Sequence, residues 1–178
     1  MSLNHLEDLF LHELKDVLHA EKQILKALPK MAKATESEEL RAAFEAHRDE
    51  TEQQIERLER IFQLIEKPAR AKRCVGMEGL IEEGSELMQE DAEGAVLDAG
   101  LIASAQKVEH YEICAYGTLV AYARQLGHEQ AAKLLEKTLE EEKKTDLKLT
   151  ELASHINFEA EQPEEEVVAA RKPSRRRK

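Results

Sequence analysis

The sequence predicts an all-α fold: an antiparallel four-helix bundle with a short fifth helix in the long crossover between helices 2 and 3. Three observations predict it. The 178 residues hold only 7 Gly and 4 Pro, and no Gly falls in residues 1–75. An all-β sandwich or barrel needs turn residues about every 8–12 positions, so that class is excluded. The chain is rich in Ala, Leu, Glu and Lys, which lose little on entering a helix. Apolar residues recur at three- and four-residue spacing over four long stretches, which places them on one helix face each.

The first helix spans about Asn4 to Thr35. Phe10, Leu14, Val17, Ile24, Leu28 and Met31 follow one another at steps of 4, 3, 7, 4 and 3, and Glu21 occupies the gap. Pro29 lies inside it and should kink it. The second helix spans about Ser37 to Glu66, with Ser37 as N-cap. Its stripe is Leu40, Phe44, Leu58, Ile61 and Ile65; His47, Thr51 and Gln54 fill the seam between, and Glu50 sits at the seam's edge. A linker, Lys67 to Arg73, leads to a short helix over about Cys74 to Gln89. Its Met77, Leu80, Ile81, Leu87 and Met88 have two uses: covering the bundle's side or forming a dimer contact.

The third long helix spans about Glu93 to Leu126 and stops at Gly127, a residue suited to the left-handed turn after a helix. Ile102, Ala105, Tyr116 and Leu119 form its stripe, with Glu109 and Glu112 in the same seam. The fourth spans about His128 to Phe158. Leu135, Leu139, Leu149, Ala153 and Ile156 form its stripe, interrupted by Glu142 and Asp146. Two short connections and one long crossover select a bundle of the ferritin-like kind. Residues 1–158 therefore read as the bundle. Residues 159–178, where a run of Glu is followed by Arg171, Lys172, Arg175, Arg176, Arg177 and Lys178, read as a charged, disordered tail.

Other classes fall away. No run approaches the ~18 apolar residues of a membrane span, and the N-terminus lacks a secretory pattern. Cys74 and Cys114 read as reduced thiols, which fits the cytoplasm. A net charge of −11 opposes nucleic-acid binding except weakly through the basic tail. No phosphate-binding loop or nucleophile elbow occurs.

The informative feature is the placing of carboxylates. Glu21, Glu109, Glu112 and Glu142 interrupt apolar stripes midway along their helices, Glu50 lies beside them, and Asp146 follows Glu142 by one turn. In an antiparallel bundle these levels meet. Buried, unpaired carboxylates cost several kcal/mol each or take up protons. Two divalent cations would offset that cost, and oxygen ligands with one imidazole, His47, suit iron or manganese ahead of zinc. Hydrogen bonds from Gln54, Tyr116 and Thr51 are the metal-free alternative. The di-iron recipe of Glu-x-x-His on two helices is not met, since Gln53 follows Glu50 and Thr145 follows Glu142 at that spacing. A faint repeat relates the halves: Glu21 to Glu50 spans 29 residues, Glu112 to Glu142 spans 30.

The segments AEKQILKALPKMAKA, AFEAHRDETEQQIERL, CVGMEGLIEEGSEL, AQKVEHYEICAYGTL and AAKLLEKTLEEEKKTDLKLTELA resemble the YciF family of bacterial stress-associated ferritin-like proteins. The resemblance implies a five-helix ferritin-like bundle, cytoplasmic location, homodimers and induction under general stress, with no firmly assigned enzymatic activity. It puts the family's candidate metal positions on Glu21, Glu50, Glu109, Glu112 and Glu142, with His47, Gln54 and Asp146 as neighbours. The resulting expectation is a dinuclear iron or manganese site that handles peroxide, oxygen or iron. The competing expectation is a non-catalytic dimeric structural protein of the stress response.

Overall fold

The computed structural model describes residues 3–92 and 94–162. Five helices account for nearly all of them: α1 (Leu6–Ala34), α2 (Glu38–Leu64), α3 (Val75–Leu87), α4 (Gly94–Gln125) and α5 (Glu129–Glu161). Among the described residues there is no strand. α5 continues three residues beyond Phe158, to Glu161, so the first residues assigned to the tail are helical. The basic end of the chain, Arg171 to Lys178, lies outside the described residues.

Local chemistry explains the ends. The Ser37 hydroxyl accepts the Leu40 N–H at 3.2 Å and caps α2. The Asp8 carboxylate accepts the N–H groups of Asn4 and His5, each at 3.1 Å, at the start of α1. Gly127 closes α4 with φ +77°, a conformation that costs glycine nothing. α1 remains one helix through Pro29; the missing donor removes a single rung and the helix persists on both sides.

Asp98 gives the bundle a tie that periodicity does not reveal. It is buried on α4, and its carboxylate accepts the backbone N–H of Glu36 at 3.2 Å and of Ser37 at 3.0 Å. The tight turn between α1 and α2 thus finds its hydrogen-bond partners on a third helix. Asp98→Ala strands two N–H groups, at a cost of about 2 kcal/mol. A Tm fall of roughly 4–8 °C is expected by calorimetry, and an unchanged Tm would show that solvent replaces the carboxylate.

The packing forms a ring in which α1 lies against α2 and α4, and α5 against α2 and α4. The interior has two apolar regions. One gathers Phe10, Leu14, Leu58, Phe62, Leu119 and Leu135; the other gathers Ile24, Leu28, Leu40, Phe44, Leu101 and Leu149. α1 and α5 meet the first region before the second, and α2 and α4 meet them in the opposite order. Each helix is therefore antiparallel to both neighbours in the ring. The crossover joins the two parallel, diagonal helices α2 and α4.

α3 packs on α4 and α1 and so covers the bundle's side, the first of its two expected uses. Close approach requires Gly100, where a Cβ would stand 2.7 Å from the Leu87 side chain. Its start is fastened by Cys74. The Cys74 Sγ lies 2.9 Å from the Tyr111 hydroxyl, which donates to Asp16 at 2.8 Å. The Cys74 N–H donates to His19 Nδ1 at 3.1 Å. Burial raises the thiol's pKa, so Cys74 is a protonated structural group; Cys114 is exposed.

Candidate metal centre

Between the two apolar regions, polar side chains from all four long helices fill the core. Glu21 comes from α1, His47, Thr51 and Gln54 from α2, Glu109 and Glu112 from α4, and Thr138 and Glu142 from α5; all are buried. The mid-helix position of each interrupted stripe is what brings them to one level. Ligand atoms of His47, Glu109, Glu112 and Glu142 all lie within 4.8 Å of one another. His47 Nε2 stands 3.3 Å from a Glu109 oxygen, across the bundle. Glu21 adjoins this group and accepts a hydrogen bond from the Tyr116 hydroxyl.

The cluster is only partly satisfied by the protein. Gln54 donates to Glu142 Oε1 at 2.5 Å. Both oxygens of Glu112, one each of Glu21, Glu109 and Glu142, and both ring nitrogens of His47 have no hydrogen-bond partner. Thr51 does not serve a carboxylate: its hydroxyl donates to the His47 carbonyl at 2.9 Å, the bond available to a threonine inside a helix. Orphaned acceptors at this density are costly. They offer a divalent cation a carboxylate-rich donor set with one imidazole. The residues present therefore fit a metal ion.

Without metal, protons must do part of that work. Burial, the main cause, raises the Glu21 carboxyl to about 7, against the lowering effect of Tyr116. Burial and the Glu21 charge raise Glu109 to about 8. Glu112 and Glu142 are raised well above the ordinary range by burial first and by neighbouring carboxylates second. Glu21 with Glu112, and Glu109 with Glu142, are placed to share a proton. Burial lowers His47 to about 4, so its ring is neutral.

Two of the seven sequence-derived site residues stand apart. Glu50 is half-buried at the rim, where burial raises its pKa and Lys144 and Lys148 oppose the rise. Asp146 is half-buried and turned to the α4–α5 seam, accepting from Gln106 at 3.1 Å with His110 Nε2 at 3.5 Å. Glu50 sits at the edge of its seam, whereas Asp146 keeps the period of the α5 stripe and is still only half-buried. The sequence repeat pairs Glu50 with Glu142, yet only Glu142 is fully buried. Arg57 was not anticipated. It is buried beside the cluster, donating to Thr138 at 2.5 Å and to both oxygens of Glu141 at 2.7 and 3.1 Å. Its sequence context, a charged residue among charged residues, carries no signal of burial.

Comparison with known proteins agrees with this architecture. A family model described as a domain of unknown function, DUF892, matches residues 5–161. Protein YciF of Escherichia coli K12 is 52% identical over 164 residues, 90% of this chain and 98% of its own length. The crystal structure of the E. coli stress protein YciF superposes with TM-score 0.85 at 50% identity, covering 88% of this chain and 99% of that one. YcfI of Rhodopseudomonas palustris, named as a candidate structural protein, superposes with TM-score 0.82 at 43% identity, covering 84% and 97%. A Xanthomonas campestris protein at 24% identity shares the fold, with TM-score 0.69 over 86% and 93% of the two chains. Identity above one half across nearly the full length of both sequences leaves one assignment: the chain belongs to the family of the stress protein YciF.

Proposed function

We propose that this stress-family protein binds divalent metal in the bundle core, as a dinuclear iron or manganese centre. The observation that carries the reading is the set of seven buried, partnerless ligand atoms on Glu21, His47, Glu109, Glu112 and Glu142. His47, Glu109, Glu112 and Glu142 would hold the metal, Glu21 would complete the set, and Glu50 would serve from the rim. Bound iron or manganese would supply electron transfer to peroxide or dioxygen, or the centre would sequester iron. Tyr116 would keep Glu21 oriented, and the two apolar regions would exclude bulk water. The cytoplasmic location and the homodimer implied by the family belong to the same proposal.

The test is metal per chain by elemental analysis, on protein prepared without chelator or affinity tag and exposed anaerobically to Fe(II) or Mn(II). About two ions per chain are expected by the dinuclear stoichiometry. Glu142→Gln is expected to lower affinity by a factor of at least ten to a hundred, as loss of even an outer partner does. No metal in the wild-type protein would sink the reading.

A second reading, a metal-free structural bundle, is favoured by the bonds that Gln54 and Tyr116 make to Glu142 and Glu21. Under it, Glu142→Gln stabilises the protein above neutral pH by removing a like charge, and metal leaves Tm unchanged.

A further inference from the structure

His47 faces more than carboxylates. It also lines a cavity of about 260 Å³, whose walls include Ile24, Met31, Phe44, Leu80, Ile81 and Met88. His47 and Glu109 stand at its buried end, and the exposed Lys26, Lys30 and Lys148 stand at its edge. α3 thus roofs a chamber as well as covering the bundle. Native interiors leave few voids larger than a water molecule, and an apolar cavity of about 150 Å³ admits benzene. By that measure this one admits about ten non-hydrogen atoms.

The occupant's chemistry follows from the ends. The walls are apolar, so most of the molecule must be apolar. At the buried end, both ring nitrogens of His47 and one Glu109 oxygen lack partners, so one polar group is wanted there. An anion would meet the two acids of the lining, Glu50 and Glu109. A cation would first meet three lysines. A neutral oxygen function meets neither objection, because a hydroxyl both donates and accepts.

We propose that the chamber under α3 binds a small, neutral, largely apolar molecule with one hydroxyl, a phenol or medium-chain alcohol, whose oxygen lies against His47 and Glu109. The site goes beyond the metal reading, whose ion would compete for His47 and Glu109; it is tested on metal-free protein, so absence of metal leaves the result untouched. The probes are 4-methylphenol, 1-octanol and p-xylene, the last matching 4-methylphenol in shape without its hydroxyl. The readout is the His47 ring signals in heteronuclear NMR, with affinity from the titration.

Saturable movement of the His47 signals by both hydroxyl compounds is expected, with p-xylene at least tenfold weaker. Ala27→Phe and Ala46→Phe fill the chamber from α1 and α2 and should each weaken binding at least tenfold. Ala46 is exposed, so its replacement leaves the fold intact and guards against a false loss at Ala27. No saturable movement with either hydroxyl compound, or wild-type affinity in both filled variants, overturns the site. Equal affinity for p-xylene overturns the hydroxyl requirement.

Discussion

In the metal-free protein, thermal stability should fall as pH rises from 5.5 to 8.5, by on the order of 10 °C. The cause is the buried carboxyl cluster. Glu21 and Glu109 titrate at about 7 and about 8 in the fold, against 4.5 for an ordinary Glu. Between those values the native state holds protons that the unfolded chain has released, so raising the pH favours unfolding. Their contribution is complete below 4.5 and is lost as pH passes through 7 and 8. Each pKa unit is worth about 1.4 kcal/mol, and a domain of this size shifts by roughly 2–4 °C per kcal/mol. His47 acts oppositely and only on the acid side. With a folded value of about 4 against 6.5, it costs stability as pH falls through that interval. Between 4.5 and 6.5 the two carboxyls outweigh the one imidazole, so stability without metal should peak near pH 4.5.

Metal should reverse the slope. Ligation requires deprotonated carboxylates, so affinity grows with pH. The Tm gap between Mn(II)-loaded and chelator-treated protein should then widen from pH 5.5 to 8.5. Calorimetry across that range in both states decides the matter. A metal-free Tm that stays flat or rises would dismiss proton sharing among the core carboxyls.

Arg57→Ala should be the most damaging single substitution beside the cluster. Arg57 donates to Thr138 and grips both oxygens of Glu141, and its side chain is only 8% exposed. Removing one partner of a buried pair costs about 3–5 kcal/mol, a Tm loss on the order of 10 °C. Lys137, 3.6 Å from Glu141, is too exposed to replace it. Arg57→Lys should recover only part, because an ammonium lacks the planar fork that meets two partners together. Arg57 also lowers the pKa of Glu21 and Glu50 through its charge, so its loss should push both higher and carry the fall in metal-free stability further above pH 7. A Tm within 2 °C of wild type by roughly the same scale would show the pair to be dispensable.

The helices were legible because each long stripe obeys one period, and Ser37 and Gly127 mark their ends with chemistry that no interior position needs. Glu21, His47, Glu109, Glu112 and Glu142 were legible for the complementary reason: a charged or polar residue at the centre of an apolar stripe has no solvent to face. Glu50 and Asp146 show where that reasoning blurs. At the edge of a stripe, as at Glu50, a small rotation of the helix separates burial from half-exposure, and the sequence does not record it; Asp146 keeps the α5 period, but Gln106 and His110 on α4 hold it in the seam. Arg57 and Asp98 were illegible, since their burial depends on partners 84 and 62 positions distant. The chamber under α3 was illegible too. Periodicity tells which faces are apolar, not whether two of them touch or stand apart.

The polar layer has a consequence for how the chain reaches this structure. The apolar region holding Phe10 also holds Ala132, and the one holding Ile24 also holds Ile156. Each end of the bundle is thus stitched from pieces of all four long helices, and neither is a continuous stretch of chain. An α1–α2 or α4–α5 hairpin, formed early from local contacts, completes neither region. High sequence separation of this kind slows folding, because chain closure precedes the contacts that reward it. It also means that no cut in the chain can free one end intact: a molecule with a divided interior is topologically indivisible.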